Sequence, residues 1–290
     1  MSSQRVTARM GFTSKGDISA SLGVLITHIV AIIYFGLVTL ILGDFNSIFY
    51  LTPITIISLG SAGIVHYVIG RTFSYQAYKT IGVNIASPFI AMSGFYSVIF
   101  GVVLLHEQIS GLGAIGLILM LSGVMTVLLF RFKLEDLKKI DPKVRKKGLI
   151  SAFLAGLFFG SSPLLVRIGL ESGGSPITGP FISYIFAFIL YVFIVLISGG
   201  IKEVKKINLG LSKYFILSGL LVNTAHFLRF IAISLAPISY ISPLLSTNDI
   251  FSIFFTRILI KKYESFDKPV IIGIFLTALG VILITISGVI

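Results

Sequence analysis

The chain has 290 residues, 56% of them hydrophobic and only 12% charged, with a mean hydropathy of +1.03 and a formal net charge of +12. A soluble domain of this size carries about 25% charged residues. The composition therefore excludes a water-soluble globular fold and leaves one whose apolar side chains face lipid. There are no cysteines, which excludes disulfide staples and thiolate metal sites.

A membrane-crossing helix needs about 20 mostly apolar residues. Nine such runs follow one another along the chain: 18–42, 48–70, 81–104, 111–130, 149–168, 179–198, 214–235, 240–260 and 270–290. The first is longer than the roughly 7–15 residues of a cleavable signal core, so it is read as an uncleaved anchor. Long continuous runs are not the short alternating segments of a membrane barrel. The longest polar stretch, Arg131 to Lys147, reads as a basic linker between two parts, 1–130 and 148–290.

Orientation follows from lysine and arginine in the short loops. If the nine spans alternate, all 23 of these residues except Arg167 and Arg229 fall on one side. That side is expected to be cytoplasmic in a multi-pass protein of the cell membrane, with the C-terminus outside. The linker then serves as a topology determinant and a lipid-headgroup contact. Its lack of interleaved aromatic residues argues against nucleic acid as a partner.

The two parts repeat one another. Glu107, Gly116 and Gly123 read E-x8-G-x6-G, and so do Glu264, Gly273 and Gly280. Ala77 lies eleven residues before Pro88, and Ala232 lies eleven before Pro243. Glycines seven apart share one helix face and permit close helix contact. A Ser-Pro near the start of a span is expected to sit in the first turn, where proline costs little. The "RMGFTSKG" beginning at Arg9 resembles the "RIGLESGG" beginning at Arg167. A full span precedes Arg167, and no counterpart precedes Arg9. The expectation is an all-α integral membrane protein with about nine transmembrane helices in two inverted repeats, four spans and then five. Inverted repeats are a transporter architecture.

These residues resemble the drug/metabolite transporter superfamily in its ten-helix EamA-type branch. Each repeat there follows a pattern like G-S-S-x4-R/K, A, S-P, E-x8-G-x6-G. Gly160, Ser161, Ser162, Arg167, Ala232, Ser242, Pro243, Glu264, Gly273 and Gly280 match it in the second repeat. Arg9, Ala77, Ser87, Pro88, Glu107, Gly116 and Gly123 match it in the first. The resemblance implies a 5+5 carrier whose first helix is missing here, and a secondary transporter of small metabolites, often an exporter of amino acids or related compounds. The missing helix is expected from a start upstream of Met1; the other route to completing a cavity that lacks a wall is a homodimer or a neighbouring protein.

Polar residues at membrane depth are the site candidates. Asp249 lies about 14 Å into its run, near the midplane, beside Asn248. The repeat-equivalent positions are Ser93 and Gly94, as expected of a site grafted onto a symmetric frame. Asp249 is read as a substrate-amine ligand or a proton carrier, against the alternative of a structural ion pair. Asn223, His226 and Arg229 recur at three-residue spacing and form one stripe on the neighbouring run. Arg229 either meets a substrate carboxylate or snorkels to headgroups, and Arg167 is expected to snorkel. His28 reads as a packing residue. Tyr75, Tyr96, Tyr184 and Tyr240 could line a cavity or sit at interfaces. No His-Glu-x-x-His, aspartate-rich or Gly-x-Ser-x-Gly motif is present, so neither enzyme chemistry nor a metal or cofactor is expected. The functional alternative to a carrier is a non-transporting membrane subunit or sensor.

Overall fold

The computed structural model describes residues 20–42, 45–130, 137–197, 209–247 and 268–287, and no strand occurs among them. In chain order the helices are α1 Ala20–Ile41, α2 Pro53–Gly63, α3 Arg71–Ile81, α4 Val83–Ala91, α5 Ser93–Leu104 and α6 Gly111–Phe130. They continue as α7 Pro142–Glu171, α8 Gly179–Ile197, α9 Leu209–Leu235, α10 Ile238–Ser246 and α11 Lys268–Ile286. Six helical stretches among the described residues are long and apolar enough to cross a bilayer, and two shorter apolar helices, Leu25–Ile41 and Gly219–Leu235, accompany them. The protein is an all-helical, multi-pass membrane protein.

Several boundaries differ from those read along the sequence, each for a local reason. The run expected over 48–70 starts at Pro53, where the Thr52 hydroxyl accepts from the Thr55 N–H. It then passes through a π-helical segment, Ile64–Gly70, into α3. Nothing stops it before Gly82, whose φ of +79° ends the helix, so Arg71 to Lys79 is helical rather than a loop. Helix α7 starts inside the stretch read as linker. Asp141 Oδ1 accepts from the Lys143 and Val144 N–H groups at 2.9 and 3.2 Å, and Pro142 fills a position that needs no intrahelical donor. The run 81–104 is two helices that part at Met92. Pro88 and Pro243 are not in first turns. Each lies inside a nine-residue helix that ends three residues later, as expected when a proline removes one ladder bond and crowds the carbonyl four residues back. Beyond Thr247, the run 240–260 lies outside the described residues, as does Glu264.

The helices gather into two compact units. One combines 1–64 with 168–234, the other 65–167 with 235–290, so each unit draws on both sequence halves. In the second unit, α6 and α11 pack through the repeat glycines. A Cβ added at Gly116 would lie 2.8 Å from the Gly280 carbonyl oxygen, and one at Gly280 would lie 2.5 Å from that of Gly116. Gly123 and Gly273 face each other in the same reciprocal way, at 2.5 and 2.7 Å. The earlier glycine of one helix thus meets the later glycine of the other. Equivalent helices therefore run antiparallel, which is the signature of inverted halves. Glu107 supplies the second fixture of this unit. Its carboxylate oxygens accept from the N–H groups of Ile238 and Ser239 at 2.7 and 2.9 Å. The repeat glutamate is thus a cap on α10, whose first N–H groups have no intrahelical partner.

In the first unit, α8 packs against α1 and α2. The Ser183 hydroxyl donates to the Leu59 carbonyl at 2.7 Å, and Gly63 lies directly on the Ser183 backbone. Phe35 stacks on Tyr184, and Gly36 receives the Phe181 ring.

Replacing Gly123 with alanine is expected to lower stability by roughly 1–3 kcal/mol, because the new methyl meets the Thr277 hydroxyl, which is bonded to the Gly273 carbonyl, and the backbone of Gly273 and Thr277. Gly111→Ala, where a Cβ finds nothing within 4 Å, is the control. Thermal unfolding in detergent reads both, and equal midpoints would remove the glycine seam from the account.

A candidate site in the first unit

Helix α9 has 27 residues and carries Asn223 at its middle. A stripe of buried residues, Asn223, His226, Arg229, Phe230 and Ile233, runs from there toward its C-terminus. Of the five site residues expected from the sequence, three are described, and they share this stripe. Arg229 is only 4% exposed, so it is buried rather than snorkelling. Asn248 and Asp249 lie outside the described residues.

The stripe meets a buried aromatic cluster centred on Tyr184 of α8. Its ring lies 6.1 Å from that of His226, 5.7 Å from that of His28 and 5.3 Å from that of Phe35, centroid to centroid. His28 also stacks on Tyr191 at 5.4 Å and 9° between planes. Three helices thus contribute: α1 through His28 and Phe35, α8 through Tyr184 and Tyr191, and α9 through His226, three residues along from Asn223. At the flank, the Thr224 hydroxyl donates to the Leu220 carbonyl at 2.9 Å, with Tyr34 Oη 3.2 Å away.

Asn223 is the group whose chemistry is unanswered. Its side chain is fully buried, and neither Nδ2 nor Oδ1 has a hydrogen-bond partner among the described residues. A carboxamide taken out of water without partners costs several kcal/mol in an apolar medium. It offers two donors and one acceptor oxygen in fixed geometry. A polar occupant bearing both an acceptor and a donor satisfies it; a purely apolar one does not. No cluster of three or more His, Asp or Glu side chains suited to a metal occurs among the described residues.

Sequence spacing found the α9 stripe. It did not single out Tyr184, because only the packing of α1 and α9 on α8 makes that tyrosine the hub. It took His28 for a packing residue, and its stacked contacts fit that role while placing it beside the same hub. Of the other tyrosines weighed as cavity residues, Tyr240 belongs to the second unit, where it is fully buried with its hydroxyl 3.2 Å from the Ser110 N–H.

The family model described as the EamA-like transporter family matches residues 10–129 and 146–286. No curated protein matches the sequence. Among solved structures, one crystal structure is 14% identical with a TM-score of 0.74, over 99% of this chain and 94% of that one. At that identity it shows the shared fold.

Asn223→Leu is expected to raise thermal stability by roughly 1–3 kcal/mol, because it removes unpartnered buried polar atoms and keeps the volume. The same variant is expected to lose solute transport. A destabilised variant would mean that the carboxamide is satisfied in the folded protein.

Proposed function

The chain belongs to the EamA-like transporter family, and on that premise we propose that it is a secondary carrier moving a small polar metabolite of the amino-acid type across the cell membrane. The observation that carries the reading is the Asn223 carboxamide, without a partner among the described residues at the middle of a long apolar helix. A structural asparagine in that setting would be bonded. A binding asparagine is left open for its ligand, with the Tyr184, His226 and His28 rings supplying the walls.

In this reading the two inverted halves work by alternating access, exposing the site to each side in turn. The proton is the coupling ion, and Asp249, read from the sequence at the midplane beside Asn248, carries it. Arg229 serves the carboxylate end of the substrate. The lysine- and arginine-rich loops face the cytoplasm by the charge rule, the C-terminus faces outward, and the direction is export. The antiparallel glycine seam of α6 and α11 supports the inverted arrangement on which such rocking depends.

The test is proton movement in proteoliposomes, read with an entrapped pH-sensitive dye against a panel of amino acids and small amines. Wild type is expected to move protons with at least one of them, and Asp249→Asn is expected to abolish that movement at equal expression. Wild-type flux in the variant removes Asp249 from the mechanism, and silence across the panel overturns the coupled-carrier reading.

A further inference from the structure

The stretch Pro53–Ile81 is one of the six long and apolar enough to cross a bilayer, and it carries Arg71 inside it. Counted by loops, Arg71 falls with Lys79 at the membrane surface. The structure sets it ten residues before the helix end at Ile81, about 15 Å along the axis. Helix α7 gives the same depth independently. Phe159 stands midway between Lys147 and Glu171, twelve residues from each. A Cβ on Gly70 would lie 2.8 Å from the Phe159 ring, and Phe73 stacks on Phe158 at 5.8 Å and 11° between planes. Arg71 lies between Gly70 and Phe73, so it stands at the level of the middle of that helix. Snorkelling from there would have to cover about half the hydrocarbon thickness. An ionisable residue at that depth marks a functional site by default.

The guanidinium is only partly engaged. Its Cζ lies 6.0 Å from the centre of the Tyr67 ring, a contact that uses the charge and leaves the N–H donors of the fork. Arg71 is half-buried, and Tyr67 is buried. The second unit has two carboxylates among the described residues, and both cap helices elsewhere. Glu107 accepts from the Ile238 and Ser239 N–H groups, and Asp141 from those of Lys143 and Val144. The wall around Tyr67 is aromatic: the His66 ring lies 4.9 Å from that of Tyr67 and 4.9 Å from that of Phe159. The backbone marks the same place. Ile64–Gly70, directly before Arg71, is the one π-helical segment among the described residues, and such segments are rare and frequent at functional sites. The repeat points there too. The offset of 155 residues that relates Ala77 to Ala232 also relates Arg71 to His226, a member of the candidate site in the other unit.

A planar guanidinium presents parallel donors that match the two oxygens of a carboxylate. A cation at this depth repels an amine, and an apolar occupant leaves it without a counter-charge. We propose that Arg71, held over Tyr67 in the second unit, is a further binding station that takes a carboxylate group. It is distinct from the Asn223 stripe, which belongs to the first unit. Its place on a solute path rests on the carrier reading; its anion chemistry does not.

The experiment uses the full chain in phosphatidylcholine nanodiscs, with sodium acetate and methylammonium chloride as probes at matched ionic strength. The first readout is the rate at which phenylglyoxal labels Arg71, followed by mass spectrometry of its peptide. Acetate is expected to slow that labelling saturably, and methylammonium is not. The second readout is the thermal midpoint of wild type, Arg71→Gln and the charge control Lys79→Gln. Acetate should raise the wild-type and Lys79→Gln midpoints alike. Arg71→Gln should need at least about tenfold more acetate for the same shift, as loss of a hydrogen bond to a charged group implies. Labelling that acetate does not slow, an Arg71 that the reagent does not reach, or an unchanged acetate response in Arg71→Gln overturns the station. The labelling arm needs no variant and decides the matter if Arg71→Gln fails to fold. Asn223→Leu separates the two readings: it should keep the acetate protection of Arg71 whether or not it transports.

Discussion

In the interior of a bilayer a polar atom has no water to fall back on, and this protein is organised around that fact. Some broken or tightly packed elements answer it with a named partner. Helix α10 is short and interrupted by Pro243, so its first N–H groups are taken by the two oxygens of Glu107. The close contacts between helices are sealed by serine hydroxyls on carbonyls, Ser183 on Leu59 and Ser97 on Gly160. Polar atoms left without partners among the described residues then carry information, because the same fold shows repeatedly how it satisfies such atoms when it has no other use for them.

The frame is symmetric and the chemistry is not. Helices α4 and α10 have the same nine-residue length, the same internal proline and a constant offset of 155 residues. Helices α6 and α11 meet as equivalents through reciprocal glycines. Applying the same offset to Asn223 leads to Val68, buried and apolar. Packing residues are thus held in duplicate, since both copies must present the same surface to each other. The same offset takes His226 to Arg71 and Arg229 to Ser74, so polar positions recur in the first half with other side chains, and the carboxamide, imidazole and guanidinium of the α9 stripe are not repeated.

What the sequence disclosed follows this division. Length of apolar run, loop charge and the spacing of Glu107, Gly116 and Gly123 against Glu264, Gly273 and Gly280 are local or periodic signals, and they carried the helical class and the inverted repeat. The stripe of Asn223, His226 and Arg229 was legible because three-residue spacing fixes a face. The burial of Arg229 was not, because depth in a unit depends on neighbours far away in sequence. Helix ends were blurred where polar residues continue a helix beyond its apolar run, as at Arg71 to Lys79 and Lys143 to Lys147. The same blurring hid the depth of Arg71, since a polar stretch between two apolar runs reads as a loop until α7 is seen packed beside it.

Open polar atoms also bear on how a carrier moves. A site that bonds to itself when empty loses those internal bonds on binding, and the ligand must first replace what it displaced. In the proposed carrier, Asn223 has no partner among the described residues and so has no such internal bond to give up. A buried amide without a partner costs on the order of 1–3 kcal/mol, and a solute that bonds it removes that cost. A ligand's leverage over a conformational equilibrium is its differential interaction with the two states. Asn223 would therefore add to that leverage in whichever state brings the solute within reach of its carboxamide.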